Sequence, residues 1–462
     1  MGLAAAGCGA RIFPTGSTGK AVTAAALAIL VDEGKLGWDD PVIDHLPDFR
    51  MYDAWVTREM TVRDLLVHRS GLGLGAGDLL FIPRSSRSRT EIVQALRHIR
   101  PATSFRSAYA YDNILYIVAG ELVAAVSGQD WESFVRERIF APLGMATATS
   151  HEDDRFATAN RAHPHARIDP RLRGLGAQQL LPEREGLGQV GAPAGGLSWS
   201  AKDFARWMQA QLALGAVPGG SGERLWSEAG AREMWTPQVP VAIRPWPAPI
   251  EAMTPQFSSY ALGWSVQDYR GVRVVQHGGA VFGVLAFVVL VPGHDLGIAL
   301  QINSEDVDVL RGLGYELLDH YLGFAPRDWV AAFSQWNQAR LEGGLALLAD
   351  SAKQARTASK PSLPRAAYAG DYADAWYGPI KIRDQGGRLR IDFTRSPGMT
   401  GTLSHWQYDT FRADWDDAAI EPAYVTFALD AAGAVDRVTM KAVSPLADFS
   451  YDYHDLLLQP VR

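Results

Sequence analysis

Ser17 stands three residues before Lys20 in the run Phe13-Pro14-Thr15-Gly16-Ser17-Thr18-Gly19-Lys20-Ala21-Val22-Thr23. On a helix, positions i and i+3 share a face, so the lysine amine can reach back to the serine oxygen. A serine hydroxyl is a weak nucleophile until a base takes its proton. A lysine becomes that base where burial disfavours its charged form. The helix start adds free N–H groups that favour developing negative charge. Alone, the spacing also fits a helix cap followed by a solvated lysine. Lys20 is nevertheless the only one of seven lysines with a serine three residues upstream. A phosphate-binding loop is excluded, because Pro14 and Ala21 stand where Gly and Ser/Thr are needed. A nucleophile elbow is excluded by Thr15 at its first glycine position.

The elements that must carry this pair follow from pattern. Thr18 to about Gly34 reads as a buried helix with Gly34 as its stop. A short helix capped by Thr61 comes next, then a flexible loop with Gly71, Gly73, Gly75 and Gly77. Helices are expected from Thr90 to His98, Asn113 to Val126, and Gln129 to Ile139. Residues 151–196 read as a long loop, and Ser200 caps a helix to about Leu214. Tyr260–Val266, Val272–Gln276, Leu285–Val291 and Leu296–Ile302 read as four antiparallel strands joined by turns, one of them Gly278–Gly283. A helix over Val309 to Leu322 follows. Residues 326–364 read as a connecting helix and linker, ending in Ser359-Lys360-Pro361-Ser362-Leu363-Pro364. Beyond it, short strands with Gly and Asp turns predict a separate all-β domain over 365–462.

The chain has 462 residues and a net charge of -7, which argues against nucleic-acid binding. Arg84, Arg87 and Arg89 make one basic loop, read as a solvated turn. Cys8 is the only cysteine, so no disulfide framework or cysteine-rich metal site forms within one chain. His163-Pro164-His165 in a Pro/Arg-rich loop is not read as a metal site, and no cofactor is called for. No run reaches about 18 apolar residues, the length of a membrane span. Met1 to Cys8 lacks the basic region of a lipoprotein signal and is rejected as one.

Two further motifs follow in order. Tyr111-Asp112-Asn113 lies just ahead of a helix, and His277-Gly278-Gly279 ends a strand. With Ser17-x-x-Lys20 these resemble the three motifs of the serine β-lactamase and penicillin-binding-protein superfamily, in the order of its class C branch, esterases and D-aminopeptidases. Leu65–Leu72 and Pro193–Ser198 add to the resemblance, which covers Phe13 to Leu322. The C-terminal part resembles a lipocalin-like β-barrel. The implied fold class is α+β: an antiparallel sheet flanked by helices with an all-α subdomain, in a hydrolase domain over 1–325, plus the barrel.

The resemblance implies that Ser17 attacks an acyl carbonyl while Lys20 and Tyr111 share the proton transfer, with the choice of base left open. A tyrosinate needs nearby positive charge, which Lys20 and His277 would supply. Asn113 would bind the substrate amide or orient Lys20. The oxyanion hole would be the N–H groups of Ser17 and Ala280, the residue after Gly279. The partner would be a small ester or peptide substrate. A β-lactamase or DD-peptidase is the alternative, and a non-catalytic binding or sensor module the alternative of another class. His-Gly-Gly in place of Lys-Thr-Gly predicts weak binding of a substrate carboxylate. Resembling chains carry a helix and two strands ahead of the serine. Only sixteen residues precede Ser17 here, so a sheet edge short of partners is expected. A periplasmic or secreted location is implied by resemblance alone, and the oligomeric state is left open.

Overall fold

The structure is a computed structural model that describes residues 8–183, 186–220 and 222–461. Residues 1–7, which carry most of the lipoprotein-like start, lie outside these. Strand β1 (Ile12–Pro14) leads into a tight 3-10 turn, Gly16–Gly19, and then helix α1 (Lys20–Asp32). Ser17 therefore sits on the turn and Lys20 opens the helix. From Lys20 to Leu30 every residue of α1 is buried. A helix apolar all round has no face for water and becomes the centre of the core. Helix α2 (Ile114–Ser127) packs against it and stops at Gly128, where φ is +74°. The short helix expected at Thr61 is a single 3-10 turn, Arg63–Leu65. There Thr61 is held by Asp64 Oδ2, which accepts from both its backbone N–H and its hydroxyl.

The long 151–196 segment contains a small hairpin, β2 (His165–Arg167) with β3 (Gln178–Leu180). Strand β4 (Ser198–Ser200) returns to pair with β1. Helix α3 (Ala201–Leu212) follows, capped by the Ser200 side chain.

A six-stranded antiparallel sheet has the order β10-β9-β8-β7-β6-β5. Its strands are β5 (Val239–Pro240), β6 (Ser258–Tyr260), β7 (Ser265–Tyr269), β8 (Val272–Val281), β9 (Val284–Val291) and β10 (Leu296–Ile302). Two boundaries differ from the sequence reading. The expected strand Tyr260–Val266 is broken at Ala261–Trp264, where Gly263 adopts φ +77°. Strand β8 runs on through His277-Gly278-Gly279 to Val281, so that motif lies inside a strand and only Phe282-Gly283 turns. The reason is pairing: Gly278 faces Phe287 and Gly279 faces Ala286 across the ladder, which holds glycines that would otherwise favour a loop.

Strand β9 shows why the sheet is central. Val288 and Leu290 join the cluster around α1, while Phe287, Val289 and Val291 join a second cluster. That second cluster includes residues of helices α4 (Val307–Leu322) and α5 (Trp329–Gln354). Alternate side chains go to opposite faces, and both faces are covered by helices. Strand β10 is an edge, paired among the described residues with β9 alone.

Eight strands form a closed antiparallel barrel. They are β11 (Gly370–Asp374), β12 (Gly378–Gln385), β13 (Arg388–Asp392), β14 (Thr400–Gln407), β15 (Thr410–Trp415), β16 (Ala423–Leu429), β17 (Val435–Ala442) and β18 (Leu457–Pro460). Pairing of β11 with β18 closes it, which leaves no free edge. The barrel does not stand apart. One continuous apolar cluster runs from α1 to barrel residues such as Ile380, Phe427 and Leu458. The basic loop expected to be solvated is part of the junction. Arg87 is buried over the Tyr377 ring and donates to the Tyr377 carbonyl, while Arg84 pairs with Glu152 and Arg89 with Glu132.

Candidate active site

The turn from β1 into α1 places Ser17 half-buried and Lys20 fully buried. Lys20 Nζ lies 3.1 Å from Ser17 Oγ, 2.6 Å from Asn113 Oδ1 and 2.8 Å from the Ala194 carbonyl. Burial brings the lysine down from 10.5 to about 7, against the opposing pull of Asp78 and Asp112. The two amide oxygens can only accept. They therefore occupy two N–H bonds of a neutral amine and leave its lone pair for the Ser17 hydroxyl. Asn113, expected either to bind substrate or to orient Lys20, has both ends of its amide engaged. Its oxygen faces Lys20 and its nitrogen donates to Asp78 Oδ2 at 2.8 Å.

Tyr111 reaches the same place from the loop before α2. The Lys20 amine sits 4.9 Å from the centre of its ring. Burial raises the phenol well above 10, with the Ser17 hydroxyl acting in the opposite direction. Among the described residues, no hydrogen bond of ordinary geometry satisfies the Tyr111 hydroxyl. His68, from the Leu65–Leu72 run, packs on Tyr111 with ring centres 4.3 Å apart.

His277 differs from expectation. Burial, reinforced by Lys20, takes it down to about 3, so it is neutral and supplies no cation. Its two nitrogens are both engaged: Nδ1 lies 2.6 Å from the Gly278 carbonyl and Nε2 lies 2.8 Å from the Tyr260 hydroxyl. The carbonyl only accepts, so Nδ1 carries the proton and Nε2 accepts from Tyr260. His277 thus anchors strand β8 at the cleft.

The serine turn and β8 touch backbone to backbone. A Cβ on Gly16 would stand 2.4 Å from Ala280 N, and one on Gly279 would stand 2.1 Å from the Thr15 carbonyl and 3.1 Å from Ser17 N. Only glycine permits that approach, and it brings the amides of Ser17 and Ala280 to one seam. A cavity of about 1050 Å³ opens there, with Ser17, Tyr111, Asn113, His277, Gly279 and Ala280 all on its wall.

Sequence reasoning missed four contributors. Asp78 holds Asn113, and nothing in the run Gly77-Asp78-Leu79 marks it. Ala194 acts through a carbonyl, which any residue supplies. Arg311, on α4, has its guanidinium 3.2 Å from where a Cβ on Gly278 would stand. Phe449 of the barrel meets the Tyr111 ring edge-on at 5.8 Å.

The family model described as Beta-lactamase matches residues 10–322, and one described as a domain of unknown function, DUF3471, matches 354–460. A relative in Aspergillus campestris, "Unguisins hydrolase ungD'", is 31% identical over 80% of this chain and 68% of its own. "Penicillin-binding protein 4" of Amycolatopsis lactamdurans is 29% identical over 63% of this chain and 72% of its own. The octameric penicillin-binding protein homologue from Pyrococcus abyssi shares the fold at a TM-score of 0.55, with 18% identity, over 97% of this chain and 88% of that one. The chain belongs to the β-lactamase family and is a serine hydrolase.

Proposed function

We propose that the protein cleaves a carboxylic ester or a peptide amide through an acyl-enzyme on Ser17. The buried Lys20 amine, 3.1 Å from Ser17 Oγ and held by two carbonyl oxygens, carries this reading. Lys20 takes the Ser17 proton as Oγ attacks the carbonyl carbon. The oxyanion forms at the Ser17 and Ala280 amides. Collapse expels the alcohol or amine, which receives the proton by way of the Tyr111 phenol. Water then attacks the acyl carbon as Lys20 takes its proton, and collapse breaks the bond to Ser17 Oγ, which recovers that proton from Lys20 as the acid leaves. Tyr111 acts here as a protonated phenol rather than as the first base, because burial opposes its ionisation while the same burial favours neutral Lys20.

Incubation with a fluorophosphonate should add one adduct, located at Ser17 by peptide mass. For p-nitrophenyl acetate, kcat/KM should rise with pH through about 7, because the reactive lysine is the deprotonated form. An adduct elsewhere, or an acid limb near the ordinary lysine range, would set the mechanism aside.

Arg311 favours a second reading, a β-lactamase or DD-peptidase. The strand lacks the Lys-Thr pair expected to hold a carboxylate, and Gly278 leaves that space to the Arg311 guanidinium. No carboxylate partner is seen for Arg311 among the described residues, and it packs over the Phe287 ring at 4.5 Å. Arg311→Ala should lower kcat/KM for nitrocefin roughly tenfold and leave a neutral ester nearly untouched. An equal effect on both would leave the ester and amide reading alone.

A further inference from the structure

Ser450 lies on the segment between β17 and β18 that enters the hydrolase cleft. Its hydroxyl donates to Asp78 Oδ2 at 2.8 Å. The same oxygen accepts from Asn113 Nδ2, and Asn113 Oδ1 accepts from Lys20 Nζ. Lys20 in turn meets Ser17 Oγ. Four hydrogen bonds thus join a barrel hydroxyl to the nucleophile. Ser450, Asp78, Asn113 and Lys20 are all buried.

The order of these bonds has a consequence. An asparagine amide has one donor end and one acceptor end, whereas a carboxylate only accepts. Asp78 therefore turns the amide nitrogen toward itself and the amide oxygen toward Lys20. That orientation holds only while Asp78 stays in place. The barrel secures it twice. Ser450 holds the side chain, and the Asp452 carboxylate accepts from the amides of Gly77 at 2.7 Å and Leu79 at 3.1 Å. Gly75 admits the approach, since a Cβ there would stand 2.6 Å from the Phe449 carbonyl oxygen. The glycine loop read as flexible is the seat of this segment.

We propose that Ser450 is a positioning residue that orients Asp78 and, through Asn113, the Lys20 amine. It rests on the Ser17 mechanism given above. The barrel then completes the catalytic network instead of merely accompanying it. Around Lys20 stand Asp78, Tyr111, Asp112, Tyr116, His68 and His277. Around Asp78 stand Lys20, Tyr111 and the barrel's Asp448 and Asp452. Burial raises Asp78 to about 7, the Ser450 and Asn113 donors pull it back toward the anion, and that anion favours the Lys20 ammonium.

The test is the pH profile of kcat/KM on p-nitrophenyl acetate for the full chain and two variants. Ser450→Ala should lower kcat roughly tenfold with KM nearly unchanged. Its acid limb should move to lower pH, because a less stable Asp78 anion supports the Lys20 ammonium less. Ser450→Thr, which keeps the hydroxyl, should recover most of the loss and the original limb. An unchanged limb overturns the proposal whatever kcat does. A limb moving up toward ordinary lysine values also overturns it, because water has then reached Lys20 and Ser450 is only a docking contact. Fluorophosphonate labelling of the same samples separates the two readings. If the Ser17 mechanism is wrong, the unmodified protein carries no adduct at Ser17. If only the Ser450 proposal is wrong, that adduct forms normally.

Discussion

Ser17→Ala loses turnover roughly ten-thousandfold, and Lys20→Ala comes close to the same loss. The expectation rests on the 3.1 Å contact between them and on Ser17 being the one hydroxyl, among the described residues, that hydrogen-bonds the Lys20 amine. In the proposed mechanism nucleophile and base act as one unit, so the double variant should be hardly worse than either single one. Steady-state kinetics on a p-nitrophenyl ester measure all three. Lys20→Ala also empties a fully buried site, so its fold is to be checked by circular dichroism before kinetics are read. Additive losses would mean that the two residues work in separate steps. Wild-type turnover in Ser17→Ala would remove the acyl-enzyme mechanism altogether.

Gly279→Ala should lower kcat by about 10²–10³, the typical cost of losing one oxyanion donor. The added Cβ would stand 2.1 Å from the Thr15 carbonyl. That atom is backbone, so no side chain can swing aside. The serine turn must move away from β8, and the seam between the Ser17 and Ala280 amides must open. Because the strain falls on the transition-state site, kcat should drop more than KM rises. The far-UV spectrum should stay unchanged, since β8 keeps its ladder to β7 and β9. Unaltered kcat would show that the oxyanion is stabilised elsewhere.

The order of the motifs was readable in the sequence. Ser17 and Lys20 are local partners, so i, i+3 spacing alone brought them within reach, and the structure keeps them 3.1 Å apart. The buried helix after them was legible because an unbroken Ala/Leu/Ile/Val run leaves no polar face. The barrel was legible as short strands with Gly and Asp turns. Strand ends were less so. His277-Gly278-Gly279 reads locally as a turn, and only its partners Phe287 and Ala286 across the ladder make it a strand.

Protonation and long-range contacts belonged to the tertiary structure. The sequence places a lysine, a tyrosine and a histidine, but burial decides which of them is charged. It brings Lys20 down to about 7, keeps Tyr111 protonated and leaves His277 neutral. Residues 78, 311 and 450 have no periodic or motif relation to Ser17. Chain folding alone brings Asp78, Asn113 and Ser450 into one hydrogen-bond network and sets Arg311 beside Gly278. Hydrogen bonds and desolvation act over a few ångströms of space, whereas spacing along a chain reports neighbours only within one turn or one strand. The Ser17–Lys20 pair and its helix were therefore determined locally, while the charge state of the site and the barrel's contact with it were decided by packing.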